Sequence, residues 1–166
     1  MSQTNGEQIH QSRIVKTLIA AQVLNGVGVA GTVAAGSLLV ASITDSETLA
    51  GLAQTFSVLG AAAMALPLAR LTNRGGRRLA LSAGLITGLI GSIIAITGGS
   101  TKNIYLMLLG SFLVGAASAS GYQARFAAID LATEDNRAKQ LSLVVWGSTI
   151  GAVTGPNLME PSGRIA

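Results

Sequence analysis

The chain has 166 residues, of which 49% are hydrophobic and only 11% charged, with a net charge of +4, 21 glycines and no cysteine. Soluble domains carry about 25% charged residues, so there is too little charge here to wet a globular surface. The missing thiols exclude disulfides and cysteine-based nucleophiles or metal sites. The basic residues fall in short stretches rather than over one face, so no nucleic acid partner is expected.

Residues 1–12 are polar and read as a disordered tail. Five uncharged runs follow, at 17–44, 48–69, 79–101, 103–124 and 140–159. A helix needs about 20 mainly apolar residues to cross a hydrocarbon core of ~30 Å, and each run is long enough. Five such runs in succession imply an all-α membrane protein, a polytopic transmembrane helix bundle over residues 13–160 surrounded by membrane lipid. Pro156 and the nearby Glu160 make the fifth run the least apolar in outline. Residues 161–166 form a short tail beyond it.

The connections alternate in character. An acidic turn at 45–47 is followed by a basic one at 70–78, then a turn marked by Lys102, then the mixed-charge segment 125–139, expected to be partly amphipathic helix. Lys and Arg favour the cytoplasmic side. Arg13 and Lys16, the four arginines at 70, 74, 77 and 78, and Arg125, Arg137 and Lys139 then place the N-terminus and alternate loops inside a cell membrane. Residues 161–166 would lie outside.

Within the first run, Gly26, Gly28 and Gly31 spell G-x-G-x-x-G, with Asp45 downstream. That spacing imitates a dinucleotide-binding turn, but the turn must open a helix with a solvated face. Residues 17–44 contain no charge. The glycines are read instead as a packing surface, and no cofactor is expected.

The basic turn has a more specific pattern. In ALPLARLTNRGGRR, Ala69 is followed at fixed spacing by Asn73, Arg74, Gly76, Arg77 and Arg78. This resembles the loop between helices two and three of the major facilitator superfamily, Gly-x-x-x-Asp-Arg-x-Gly-Arg-Arg/Lys. Ala69 stands for the leading Gly and Asn73 for the acid, which in the family helps to close a gate. Asn keeps the ability to accept a hydrogen bond but lacks the charge-assisted strength. The fifth run carries Gly147, Gly151 and Gly155, then Pro156. It is similar to a helix-five signature of the superfamily's antiporters, although the glycines that usually follow are absent. Glycines at every fourth position leave one bare helix face for close packing.

The fourth run resembles the family's helix four, where an Arg usually stands four residues before a Gly. Ser111 occupies that place ahead of Gly115, so the resemblance carries no proton-linked Arg here. Polar side chains in hydrocarbon favour the bundle interior. Gln22, Asn25 and Thr32 in the first run, and Ser111, Ser118 and Tyr122 in the fourth, are therefore the residues expected to line a cavity, since both helices line it in the family. Arg125 and Asp130, at the inner end of the fourth run, are a candidate inner-gate pair, or are solvated.

With no nucleophile–base pair or metal cluster visible, the chain is not read as an enzyme. The resemblance implies the first five helices of a transporter with two six-helix halves, a small-molecule substrate and efflux by antiport. Helix six and the second half are missing from this sequence, so residues 1–166 alone are not expected to transport. The alternative is a small, non-transporting membrane protein that packs against a partner helix bundle. Its glycine faces, including Gly84, Gly88 and Gly91, would then be association surfaces.

Overall fold

The computed structural model describes residues 5–46, 49–129, 132 and 134–158. They form α1 (Asn5–Thr44), α2 (Leu52–Ser100), α3 (Ile104–Ile129) and α4 (Glu134–Asn157). The long α2 is two helices joined at Gly76, whose φ of 81° and ψ of 164° interrupt the helix. Residues 52–75 and 77–100 are its first and second arms, so the described residues hold five helical segments.

Local chemistry explains both the helices and their ends. Serine and threonine hydroxyls inside the segments donate to carbonyls one turn back, as Ser37 does to Val33, Thr87 to Ala83 and Thr97 to Ile93. This satisfies a polar group without a partner helix, which lets an apolar span carry hydroxyls. Three reversals each contain a residue with positive φ, namely Asp45 (50°), Gly76 (81°) and Lys102 (53°). At Lys102 the end of α2 is closed by N–H donation from Asn103 to the Gly98 carbonyl (2.8 Å) and from Lys102 to the Gly99 carbonyl (3.2 Å). That paired closure is a Schellman motif. The Asn103 side chain then accepts from the backbone N–H groups of Tyr105 (3.1 Å) and Leu106 (3.3 Å), capping α3.

α3 lies at the centre. Its Val114, Ala116, Ala117, Ala119 and Ser120 are buried, and both arms of α2 pack on it. A β-carbon on Gly60 or Gly115 would strike the facing backbone of α3 or of the first arm. In the second arm, β-carbons on Gly84, Gly88, Gly91 and Gly98 would meet Ser120, Ala117, Leu113 and Met107 respectively. The second arm thus runs antiparallel to α3. Gly60 beside Phe112 and Thr72 beside Gln123 make the first arm parallel to it. α4 runs parallel to α1, with Gly147 over Ile19 and Gly155 over Val27. Alternating directions bring the start of α1, the turn at Gly76, the end of α3 and the start of α4 to one end of the bundle, and with them the described basic residues other than Lys102.

Among the described residues, three helices are long and apolar enough to cross a membrane: Arg13–Thr44, Leu52–Ser100, which holds two arms, and Ile104–Ala127. α4 is long enough but less apolar, and it does not join them. Gln140, Ser142, Ser148, Thr149, Thr154 and Asn157 dilute its hydrocarbon character, which the uncharged-run criterion ignores.

One expectation is corrected. The polar segment expected to be disordered through residue 12 is helical from Asn5, because Glu7, Gln8 and Gln11 are good helix formers that extend α1 outward. In the segment 125–139, expected to be partly helix, 125–129 belong to α3 and 134–139 to α4. Arg125 is consequently a residue of α3, two residues before the end of its apolar span, rather than of a loop. The tail at 161–166 and Asp130 lie outside the described residues.

Candidate functional site

Glycines bring α1 and α4 together. Gly147, Gly151 and Gly155 stack in turn over the carbonyl oxygens of Ile19, Val23 and Val27. A β-carbon on Gly26 would lie 2.9 Å from the Ser148 oxygen and 3.0 Å from the Gly151 Cα, so the approach is close from both sides. Gly31 faces Gly155, whereas Gly28 faces open space. The G-x-G-x-x-G run is therefore mostly a packing surface. Pro156 falls in the last turn of α4 rather than bending its middle. Having no N–H, it leaves the Ala152 carbonyl without its usual helical donor.

An open cavity of about 500 Å³ lies between α1, α3 and α4, with Gln54 of α2 at its edge. Of the expected lining residues, Gln22, Asn25, Ser118 and Tyr122 contribute to it, and Arg125, Ser148 and Pro156 join them. Gln22 is 3% exposed, and its Nε2 donates to the Gly121 carbonyl at 3.1 Å, tying α1 to α3. Gly121 has no side chain there, and a β-carbon would lie 2.7 Å from the Asn25 Nδ2.

Thr32 and Ser111 do not line this cavity. The lining face of α1 is centred on Gln22, Val29 and Val33, and at about 100° per residue Thr32 sits roughly a quarter-turn away. Ser111 is buried and donates to the Met107 carbonyl at 3.0 Å. Gly115, one turn beyond it, admits the backbone of Ser57 and Ala61. The first arm of α2 thereby covers the outer half of the polar stripe on α3 and leaves Ser118 and Tyr122 uncovered.

The basic turn borders a second cavity, of about 670 Å³, between the first arm of α2 and α3. Asn73 and Arg77 line it, together with Thr72, Tyr122, Gln123 and Phe126. Arg74, Gly76 and Arg78 are exposed, whereas Arg77 is half-buried. The Thr72 hydroxyl lies 3.1 Å from the Gln123 Oε1 and 3.0 Å from the Leu68 carbonyl, linking the two helices just before the turn. Tyr122 borders both cavities.

The Arg125 guanidinium carbon stands 5.2 Å from the centre of the Tyr122 ring. Its Nε is buried without a hydrogen-bond partner. Gln54, Gln123 and Ser148 are cavity-lining residues that sequence reasoning did not select. Gln123 could have been found from its place beside Tyr122 and Arg125, but Gln54 stands alone at the start of its helix and carries no such signal.

Comparison with known proteins agrees with this architecture. The Major Facilitator Superfamily matches residues 18–160. The chain is 37% identical over 145 residues to the uncharacterized MFS-type transporter YdeG of Bacillus subtilis, covering 87% of this chain and 34% of that protein. It is 34% identical over 154 residues to the uncharacterized MFS-type transporter YddS of the same organism, covering 93% and 35%. The riboflavin transporter RfnT of Brucella anthropi is 29% identical over 147 residues, covering 89% and 37%. The chain thus spans about a third of the length of these relatives. No solved structure matches it. A bundle of apolar helices in alternating directions, the basic turn at Gly76 and a family match across most of the sequence converge on one assignment: the chain belongs to the major facilitator superfamily.

Proposed function

We propose that these residues form the N-terminal part of a secondary active transporter that exports small molecules across the cell membrane by antiport, with the N-terminus in the cytoplasm. The observation that carries the reading is the cavity between α1, α3 and α4, which collects Gln22, Asn25, Ser118 and Tyr122 inside an otherwise apolar bundle. Polar groups gathered beside a cavity are what a translocated molecule needs in place of water. The missing partner is a second helix bundle, because alternating access requires one repeat to move against another. The matched relatives are about three times as long as this chain, which supports that view. The basic residues at one end of the bundle support the orientation.

The loop residues Asn73, Arg74, Gly76, Arg77 and Arg78 act in this proposal as part of the gate at the cytoplasmic end. Arg125 faces the cavity beside it, and Asp130 belongs to the same end in sequence. The other reading, a non-transporting protein held to a partner by glycine faces, is disfavoured. Gly84, Gly88 and Gly91 are occupied by α3 of the same chain, and Gly147, Gly151 and Gly155 by α1.

The test is flux through the protein at its natural length in proteoliposomes loaded with a panel of small amphipathic molecules, riboflavin among them. Export that collapses when an ionophore dissipates the proton or sodium gradient is the expected result. Leak that ignores the gradient for every molecule would defeat the proposal.

A further inference from the structure

We infer that the cavity between α1, α3 and α4 recognises an organic anion with an apolar body, anchored through Arg125 and Tyr122. This rests on the reading of that cavity as the place where the transported molecule binds, and it names the chemical class.

Arg125 is the one charged side chain among the described residues that line the cavity. It lies two residues before the end of the apolar span Ile104–Ala127, where an ionised group favours a balancing partner. No acidic side chain lines the cavity among those residues, and the Arg125 Nε is buried with no acceptor. An unsatisfied donor of this kind carries a desolvation penalty, larger for a charged group than for a neutral one. The ring of Tyr122, 5.2 Å away, is the side chain that faces the guanidinium. A cation–π contact steadies a guanidinium but supplies no hydrogen-bond acceptor for its N–H groups.

A carboxylate or sulfonate would complete that arrangement. The planar guanidinium can give two parallel N–H donors to such a group, a geometry that a lysine could not reproduce. Among the other polar groups, Gln22 donates to the Gly121 carbonyl and Ser148 to the Val145 carbonyl, while Asn25, Gln54 and Ser118 add neutral side chains to the lining. Beyond them the walls are Val29, Val33, Ala34 and Ala152, which offer only apolar contact. Charge at one end and hydrocarbon walls beyond describe an amphipathic anion. A volume of about 500 Å³ suits a small molecule.

A matched pair of probes tests this. Radiolabelled 2-naphthoate and 2-naphthamide share a ring and differ in charge. Their binding to the protein at its natural length, in nanodiscs of phosphatidylcholine, is measured by equilibrium dialysis against empty nanodiscs. Naphthoate should bind about tenfold more tightly than the amide, a preference of the size one charge-assisted hydrogen bond supplies. Arg125→Gln should erase the preference, Arg125→Lys should keep part of it, and Arg13→Gln, at an exposed position, should leave it intact. Equal binding of the two probes to the unaltered protein, or no naphthoate binding, would overturn the inference without any variant being needed.

Displacement of naphthoate by phosphatidylglycerol added to the nanodiscs, lost in Arg125→Gln, would also overturn it, because the anion would then be a lipid headgroup. Gradient-driven transport of a neutral or cationic molecule, unchanged by Arg125→Gln, would sink the anion assignment and leave the transporter reading standing. Arg125-dependent naphthoate binding in a protein with no gradient-driven flux would uphold the anion site and defeat the transporter reading.

Discussion

Gly151 of α4 sits over the Val23 carbonyl of α1, with no room for a side chain between the two backbones. A β-carbon there would also lie 2.9 Å from the Gly26 Cα and 2.9 Å from the Val27 nitrogen, and neither of those backbone atoms can rotate away. Contact this close between helices depends on small residues facing each other. It also sets the width of the cavity, since α1 and α4 form two of its walls.

Gly151→Ala should therefore lower stability by about 1–3 kcal/mol, the usual cost of overpacking, and should reduce binding at the cavity. Gly28→Ala, on α1 with nothing within 4 Å, should be neutral or should gain up to about 1 kcal/mol from helix propensity. Unfolding of both variants in mixed detergent micelles checks the contrast. Similar losses for the two would mean that the Gly151 contact is not tight.

Gly76 differs from its neighbour in the basic turn. Its φ of 81° and ψ of 164° suit glycine alone, yet nothing crowds the position. Gly76→Ala should cost about 1–3 kcal/mol through backbone strain. Gly75→Ala should cost less, because its added β-carbon meets only the movable end of the Leu79 side chain. The same unfolding assay distinguishes them, and equal costs would argue against a conformational role for Gly76.

Thr72 and Gln123 are expected to couple. Their 3.1 Å contact joins the first arm of α2 to α3 beside the turn. A double-mutant cycle of Thr72→Val and Gln123→Leu should give an interaction energy of about 0.6 kcal/mol, within the range found for hydrogen bonds between membrane helices. Strict additivity would show that the threonine proton stays on the Leu68 carbonyl.

Gln22→Leu should destabilise by about 0.5–1.7 kcal/mol, because it removes the donor to the Gly121 carbonyl between α1 and α3. Thr32→Val, away from the cavity, should leave ligand binding unchanged. Thermal unfolding together with probe binding separates the two roles. Loss of binding in Thr32→Val would place that residue in the site after all.

Orientation can be read chemically, since the chain has no cysteine of its own. Arg74→Cys should react with a membrane-impermeant maleimide only in everted vesicles, and Lys102→Cys only in intact cells. The reverse pattern would invert the proposed topology.

The helical class, the apolar segments before residue 128 and the reversals near 45, 76 and 102 were legible in the sequence because their causes are local. A span is a run without charge, a reversal is a cluster of residues that cannot enter hydrocarbon, and each can be judged within a few residues of itself. The limits of that reading appear where a neighbour decides. Gly28 and Gly26 look alike in sequence, yet only Gly26 touches α4. Ser111 and Ser118 share one helical stripe, but the first arm of α2 covers the outer part of it because Gly115 admits its backbone. Arg125 reads as the first residue of a loop until α3 is seen to continue through Ile129 and Tyr122 is found 5.2 Å from its guanidinium. Hydropathy and charge are sums along one chain, so they determine which segments enter the membrane. Which face of each segment lines a cavity is settled by packing between helices far apart in sequence, and that is decided only in the tertiary structure.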